Sequence, residues 1–126
     1  MLEPKRITSN IKPIITEDLG SGYWYYNYDI KSEAIEIPIQ DNDKISKKEI
    51  RYNYIQIRVF GKPEYKKCVE LLIREFVTQT QEFDLINSAN RAILSGTKSS
   101  EDITKYKEYL DKVEEIKEKV AKDFGK

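Results

Sequence analysis

The chain has no histidine and a single cysteine, Cys68, among its 126 residues. Without histidine it lacks the commonest metal ligand and the commonest general base near neutral pH. One cysteine excludes an intrachain disulfide and a cysteine-rich zinc site. No apolar run approaches the ~20 residues that a membrane-spanning helix needs, and none of signal-peptide length follows Met1-Leu2-Glu3-Pro4-Lys5-Arg6. The simplest location is therefore a reducing cytoplasm, or a particle assembled there. Net charge is also missing: 22 basic residues balance 22 acidic ones. Residues 1–62 hold ten basic and nine acidic side chains, so neither half is a polyelectrolyte. This excludes a DNA-coating chain and an acidic mimic, and it weakens any phosphate-dominated partner.

What is present is aromatic. Nine tyrosines bring the aromatic share to 11%, which argues against a globally disordered chain. The pattern changes character near Gly61-Lys62-Pro63. Before it, β-branched and aromatic residues alternate with polar ones; after it, apolar residues recur at helical spacing. The reading is one α+β domain over residues 1–126, with a strand-rich part over 20–60, a helical part over 63–122 and flexible termini. An N-terminal antiparallel sheet of about three strands is expected, followed by two or three C-terminal helices.

Residues 1–12 read as a loose arm and Gly20-Ser21-Gly22 as a turn. A strand then runs from Tyr23 to Ile30. Alternation puts Trp24, Tyr26, Tyr28 and Ile30 on a core face and Tyr23, Tyr25 and Asn27 on the other. Lys31-Ser32 is read as a tight turn into a second strand, Glu33 to Ile39, which Pro38 marks as an edge or irregular strand. Gln40 to Lys44 is a polar turn into a third strand, Glu49 to Phe60. That strand carries Ile50, Tyr52 and Tyr54 at even positions but Ile55, Ile57 and Val59 at odd ones. Either a bulge near Tyr54 or cover on both faces is implied.

Pro63 suits the first turn of a helix reaching about Thr80, with Cys68, Val69, Leu72, Ile73, Phe76 and Val77 as its apolar stripe. A second helix covers Glu82 to Leu94, with a break around Thr78 to Gln81 left open. Gly96 can take the left-handed cap conformation. The last helix is capped by Ser99 or Ser100, with Glu101 and Asp102 in its first turn. Ile103, Tyr106, Leu110, Val113 and Val120 form its stripe, with Lys117 filling the gap. This stripe organises the core or self-association.

No motif carries catalysis. Phosphate-binding glycine loops, zinc motifs and glycine-framed nucleophiles are absent. Asp41, Asn42 and Asp43 lack the ligand spacing of a calcium loop, so neither metal nor cofactor is expected. Cys68 has no histidine to activate it and reads as a buried structural thiol. Glu75 with Glu82, or Glu82 with Asp84, are the carboxylate pairs of a small carboxylate enzyme, the last of three readings. In the second reading, a single-stranded nucleic-acid module, Lys44, Lys47, Lys48 and Arg51 contact phosphates while tyrosines stack on bases. In the first, Tyr23 and Tyr25 form a protein-binding hot spot supported by Tyr52 and Tyr54, because a tyrosine ring buries area at small entropic cost. The partner is then another protein, or a second copy.

The helical half carries Ile73-Arg74-Glu75-Phe76, then Gln81 to Asn87, then Tyr106 to Val113. Over residues 68–122 it resembles small accessory proteins of phage and prophage structural-gene clusters, of the tail or baseplate assembly type. The resemblance implies a noncatalytic assembly role with no enzymatic residues to carry over. The aromatic strand-rich first half departs from the shorter helical versions of such proteins.

Overall fold

The computed structural model describes residues 1–39, 42–96 and 100–126, with side chains throughout these except at 38, 39, 42–47 and 100. The fold is α+β. Strands β1 (Ile7–Ser9), β2 (Thr16–Asp18), β3 (Tyr23–Ile39) and β4 (Asn42–Phe60) precede helices α1 (Tyr65–Phe76), α2 (Gln79–Leu94) and α3 (Ser100–Asp123). The chain divides into two compact units. Residues Lys5–Pro63 make one, and Glu64–Lys126 together with Met1–Pro4 make the other. The division falls at Pro63, where the residue pattern changes.

The first unit is a four-stranded antiparallel sheet in the order β1-β4-β3-β2. Four strands replace the three expected. Residues 7–9, read as part of a loose arm, pair with Tyr54 to Tyr52, and residues 16–18 pair with Tyr26 to Trp24. The tight turn at Lys31-Ser32 does not form, because β3 runs on through both residues as a single strand of 17 residues. Its partner β4 begins at Asn42 rather than Glu49. The expected turn over 40–44 falls partly on residues 40–41, which lie outside the described residues.

The β3–β4 register shifts twice, between Pro38 and Ile39, where Pro38 marks the strand as irregular, and just before the supposed turn. Tyr28 pairs with Ile55, yet Lys31 pairs with Asn53, so Asp29 and Ile30 together face Tyr54. This two-against-one arrangement is a β-bulge. Asp29 takes a left-handed φ of 53°, which aspartate tolerates better than most residues with a side chain. Of the two alternatives the sequence leaves open for β4, a bulge near Tyr54 is not the one seen: the extra residue lies in β3, opposite Tyr54.

On one face of the sheet, Tyr26, Tyr28, Ile55, Ile57 and Val59 are buried and Trp24 is half-buried. Cross-strand pairing of Tyr26 with Ile57 and Tyr28 with Ile55 puts aromatic rings against β-branched neighbours. Beyond the bulge, Glu33 to Ile37 on β3 face Arg51 to Lys47 on β4, and this stretch is flanked by neither β1 nor β2. Glu33 opposes Arg51 and Glu36 opposes Lys48, which suits a solvated ribbon.

The second unit is built on α3, which packs against both α1 and α2. Helix α1 buries Cys68, Val69, Leu72 and Phe76, the helical spacing the sequence carries. Each such side chain, fully buried, contributes about 1.5–3 kcal/mol. Pro63 does not enter the first turn. Glu64 is the N-cap and the helix starts at Tyr65, stopping at Phe76 rather than Thr80 because Val77 turns extended. The Leu2 amide donates to the free carbonyl of Phe76 at 2.8 Å.

A new helix starts at once. Thr78 accepts a hydrogen bond from the Gln81 amide at 3.1 Å, and its own amide donates to Gln81 Oε1 at 3.0 Å. That reciprocal capping box settles the break left open by the sequence and moves the start of α2 to Gln79. Gly96 follows α2 with a left-handed φ of 68°. On α3 the buried positions are Tyr109, Ile116 and Val120, with Val113 half-buried among them and Tyr106 half-buried one turn before. The seam is thus rotated from the expected one: Leu110 and Lys117 face outward. Among the described residues no helix is long and apolar enough to cross a membrane.

Candidate functional site

Strand alternation fixes what the sheet's second face presents. Register pairs Tyr23 with Phe60, Tyr25 with Arg58 and Asn27 with Gln56, so these six side chains share that face. At the end nearest the β2–β3 turn, the Tyr23 and Phe60 rings meet edge to face with centroids 5.3 Å apart. The Arg58 guanidinium lies 4.7 Å from the Tyr23 ring centroid, a cation–π contact. Phe60 is 69% exposed and Tyr23 36% exposed. Tyr25 is half-buried between Arg58 on β4 and Glu17 on β2.

Gly22 shapes this corner. It holds a φ of 87° and its carbonyl accepts from the Gly61 amide at 2.7 Å, closing the sheet end beside Phe60. A side chain at Gly22 would be strained by that φ.

Behind the aromatic corner sits a polar lock. Asn27 is 2% exposed; its Nδ2 donates to the Ile14 carbonyl at 2.7 Å and its Oδ1 accepts from Gln56 Nε2 at 3.1 Å. Its amide donates to Ile15 at 2.8 Å. The buried Asn27 thus bonds through both side-chain polar atoms and its backbone N–H, and holds the segment before β2 against β3. It also divides the four tyrosines singled out from the sequence. Tyr23 and Tyr25 lie on one side of it. Tyr52 and Tyr54 lie on the other, opposite Ser9 and Ile7 of β1. Tyr54 is only 8% exposed and Tyr52 half-buried. The structure brings Tyr23 and Tyr25 together with Arg58 and Phe60, not with Tyr52 and Tyr54.

Arg58 and Phe60 were missed in the sequence reading. Their signal was parity: they continue the even-numbered series Tyr52, Tyr54 and Gln56 on β4. Of the basic cluster, Lys44 and Lys47 lie outside the described side chains. Lys48 and Arg51 are exposed, each with a glutamate directly opposite in register.

In the helical unit, Arg74 Nη2 lies 3.1 Å from Glu82 Oε1, and the Tyr109 hydroxyl donates to Glu82 Oε2. These contacts tie α1, α2 and α3 through one carboxylate. The Tyr109 hydrogen bond, then Arg74, hold Glu82 below the usual carboxylate range. Burial, then the Glu82 carboxylate, push Tyr109 up to about 12. Glu82 is thus occupied by structural partners, and Asp84 is exposed.

Asp84 lines a cleft of about 460 Å³ with Met1, Val77, Gln81, Leu85, Ser88, Asp102, Lys105 and Glu108. Asp84 and Glu108 are exposed and Lys105 stands among the carboxylates. Cys68 is fully buried, and burial pushes its thiol up to about 11. Among the described residues, no three histidine, cysteine, aspartate or glutamate side chains are grouped to hold a metal ion. No family model, curated protein or solved structure matches this chain.

Proposed function

We propose that the protein is a noncatalytic protein-interaction or assembly factor that docks its partner on the aromatic corner of the sheet. The observation that carries this reading is the exposed Tyr23–Phe60 pair with Arg58 stacked beside it. Tyrosine and arginine, with tryptophan, are the side chains enriched in binding hot spots, and aromatic residues generally are enriched in interface cores. Here two β-strands hold them in place, so little order is lost on binding. Tyr25 extends the patch, and Glu17 gives it a polar rim. Tyr52 and Tyr54 serve as support through packing against β1. An assembly role, in the cytoplasm or in a particle built there, is the part of this proposal that rests on the resemblance of residues 68–122 to phage tail and baseplate accessory proteins.

The nucleic-acid reading has less support. Aromatic rings with an arginine suit base stacking, but Glu36 and Glu33 oppose Lys48 and Arg51 and offset the charge that phosphates need.

The test is affinity capture from the source cells with wild type, Tyr23→Ala and Phe60→Ala, followed by a direct binding titration with the purified partner. One stoichiometric protein that is lost with both variants, while their circular dichroism stays unchanged, is the expected result. Salt-sensitive binding to single-stranded oligonucleotides, weakened by the same substitutions, would replace this reading with the second. Captured proteins that do not change between wild type and variants would sink both.

A further inference from the structure

Helix α2 packs in an inverted way. It buries two small residues, Ala89 and Ala92, and leaves large apolar ones outside: Phe83 is 54% exposed, Ile93 65% and Leu94 86%. Surface helices ordinarily turn their large apolar residues inward. We propose that this outer face of α2 is a dimer seam that pairs antiparallel with α2 of a second copy of the chain.

The choice of a second copy rests on the face being complementary to itself. Phe83, Asn87, Asn90 and Leu94 step by four, three and four, the spacing of knobs in a helix–helix seam. An isologous pair of helices obeys a two-fold axis, so each contact occurs twice. With that axis between Ser88 and Ala89, Phe83 meets Leu94 of the second copy and Asn87 meets Asn90 of the second copy. Ring packs on aliphatic chain, and amide bonds to amide.

The flanks match as well. On one side of the seam Asp84 faces Arg91 of the second copy, opposite in charge. On the other, Ile86 faces Ile93 of the second copy. A parallel pair would instead set Ile86 against Arg91, an apolar group against a charge. The four matches select the antiparallel arrangement, and the asparagine pair fixes its register. A shallow groove lined by Asn87, Asn90, Arg91, Leu94 and Ser95 receives Phe83 of the second copy. The seam spans about 16 Å at 1.5 Å per residue, so the dimer is a weak one that forms with concentration.

Sedimentation equilibrium of the full chain over a wide concentration range tests this. Wild type is expected to pass from monomer to dimer. Asp84→Arg and Arg91→Asp, taken separately, place like charges at both flanking contacts and are expected to weaken the dimer about tenfold or more. An equimolar mixture of the two variants restores it, because every facing pair in the mixed dimer is again opposite in sign. Leu94→Glu, at an exposed position, abolishes the dimer with unchanged helicity. A wild type that stays monomeric throughout, a dimer unmoved by the charge reversals, or a mixture no tighter than either variant alone overturns the proposal.

Discussion

Arg6 and Asp29 close the sheet's bulge from β1's side: Arg6 Nη1 lies 3.2 Å from Asp29 Oδ2, and Nη2 donates to the Asp29 carbonyl at 2.6 Å. The same guanidinium donates through Nε to Asn53 Oδ1 at 2.6 Å and through Nη2 to the Asn53 carbonyl at 3.2 Å. Lys31 Nζ approaches the Asp29 carboxylate at 3.6 Å from the other side. A left-handed residue, an extra residue in β3 and the N-terminal strand are thus held by one side chain that can donate in several directions at once.

The two costs at Asp29 can be separated by mutation. Asp29→Ala loses the ion pair and forces a Cβ-bearing residue with no local hydrogen bonding to keep φ near 53°. A loss of about 2–4 kcal/mol is expected from a charged hydrogen bond and left-handed strain together. Asp29→Gly loses the pair but relieves the strain, so it should be more stable than the alanine variant by about 1 kcal/mol. Urea denaturation of both variants checks the order. Alanine at least as stable as glycine would mean that the bulge relaxes.

How much of this was legible in the sequence follows from which residues act locally. The Tyr26, Tyr28, Ile55, Ile57 and Val59 face follows from period-two alternation. The α1 stripe through Cys68, Val69, Leu72 and Phe76 follows from helical period. The bulge's place on β3 did not follow, because Asp29 before Lys31-Ser32 looks like the start of a turn. Only its pairing with Arg6, 23 residues earlier, shows that the chain continues straight. The short strands at Ile7 and Thr16 exist by pairing with β4 and β3, not by their own propensity. On α3, Tyr106, Leu110 and Val113 follow helical spacing as well as Tyr109, Val113 and Ile116 do, so neighbouring helices decide which set is buried. For the candidate site, Tyr23 and Tyr25 were visible as aromatics. Arg58 and Phe60 joined them only through the β3–β4 register.

Thr78 fixes where α1 ends and α2 begins. Its hydroxyl satisfies the Gln81 amide, one of the orphan donors at the start of a helix. Thr78→Ala should cost about 1 kcal/mol, and Thr78→Ser only a small part of that. Chemical denaturation followed by far-ultraviolet circular dichroism reads the difference. Equal losses for both variants would show that the threonine methyl, not the cap, matters.

Cys68 should be inert in the folded protein. Its thiol is fully buried, and burial raises its pKa to about 11, so little thiolate is present near neutral pH. A disulfide exchange reagent should label it only through opening of the helical unit, at a rate that climbs with added urea. Stoichiometric labelling of the native chain as fast as a free thiol would contradict the packing of α1.

The Glu82–Tyr109 contact makes stability depend on pH at both extremes. The Tyr109 hydrogen bond and Arg74 lower the Glu82 pKa in the folded state from its ordinary 4.5. The stability this contributes is present above 4.5 and is lost as pH falls through the lower folded value. Tyr109 moves the opposite way, from 10.0 to about 12, chiefly by burial and then by the nearby carboxylate. Its contribution is complete below about 10 and fades as pH rises through about 12, because the phenolate would sit buried beside a negative charge. Tyr109→Phe removes the alkaline effect and the larger of the two causes of the acid one. Compared with wild type, the variant should lose less stability between pH 10 and 12, and less as pH falls below 4.5, because Glu82 is then lowered only by Arg74. Urea midpoints measured on both proteins across the two limbs give the difference directly, since the two chains differ by one hydroxyl. If the two alkaline limbs superimpose, Tyr109 does not carry the buried proton that the geometry assigns to it.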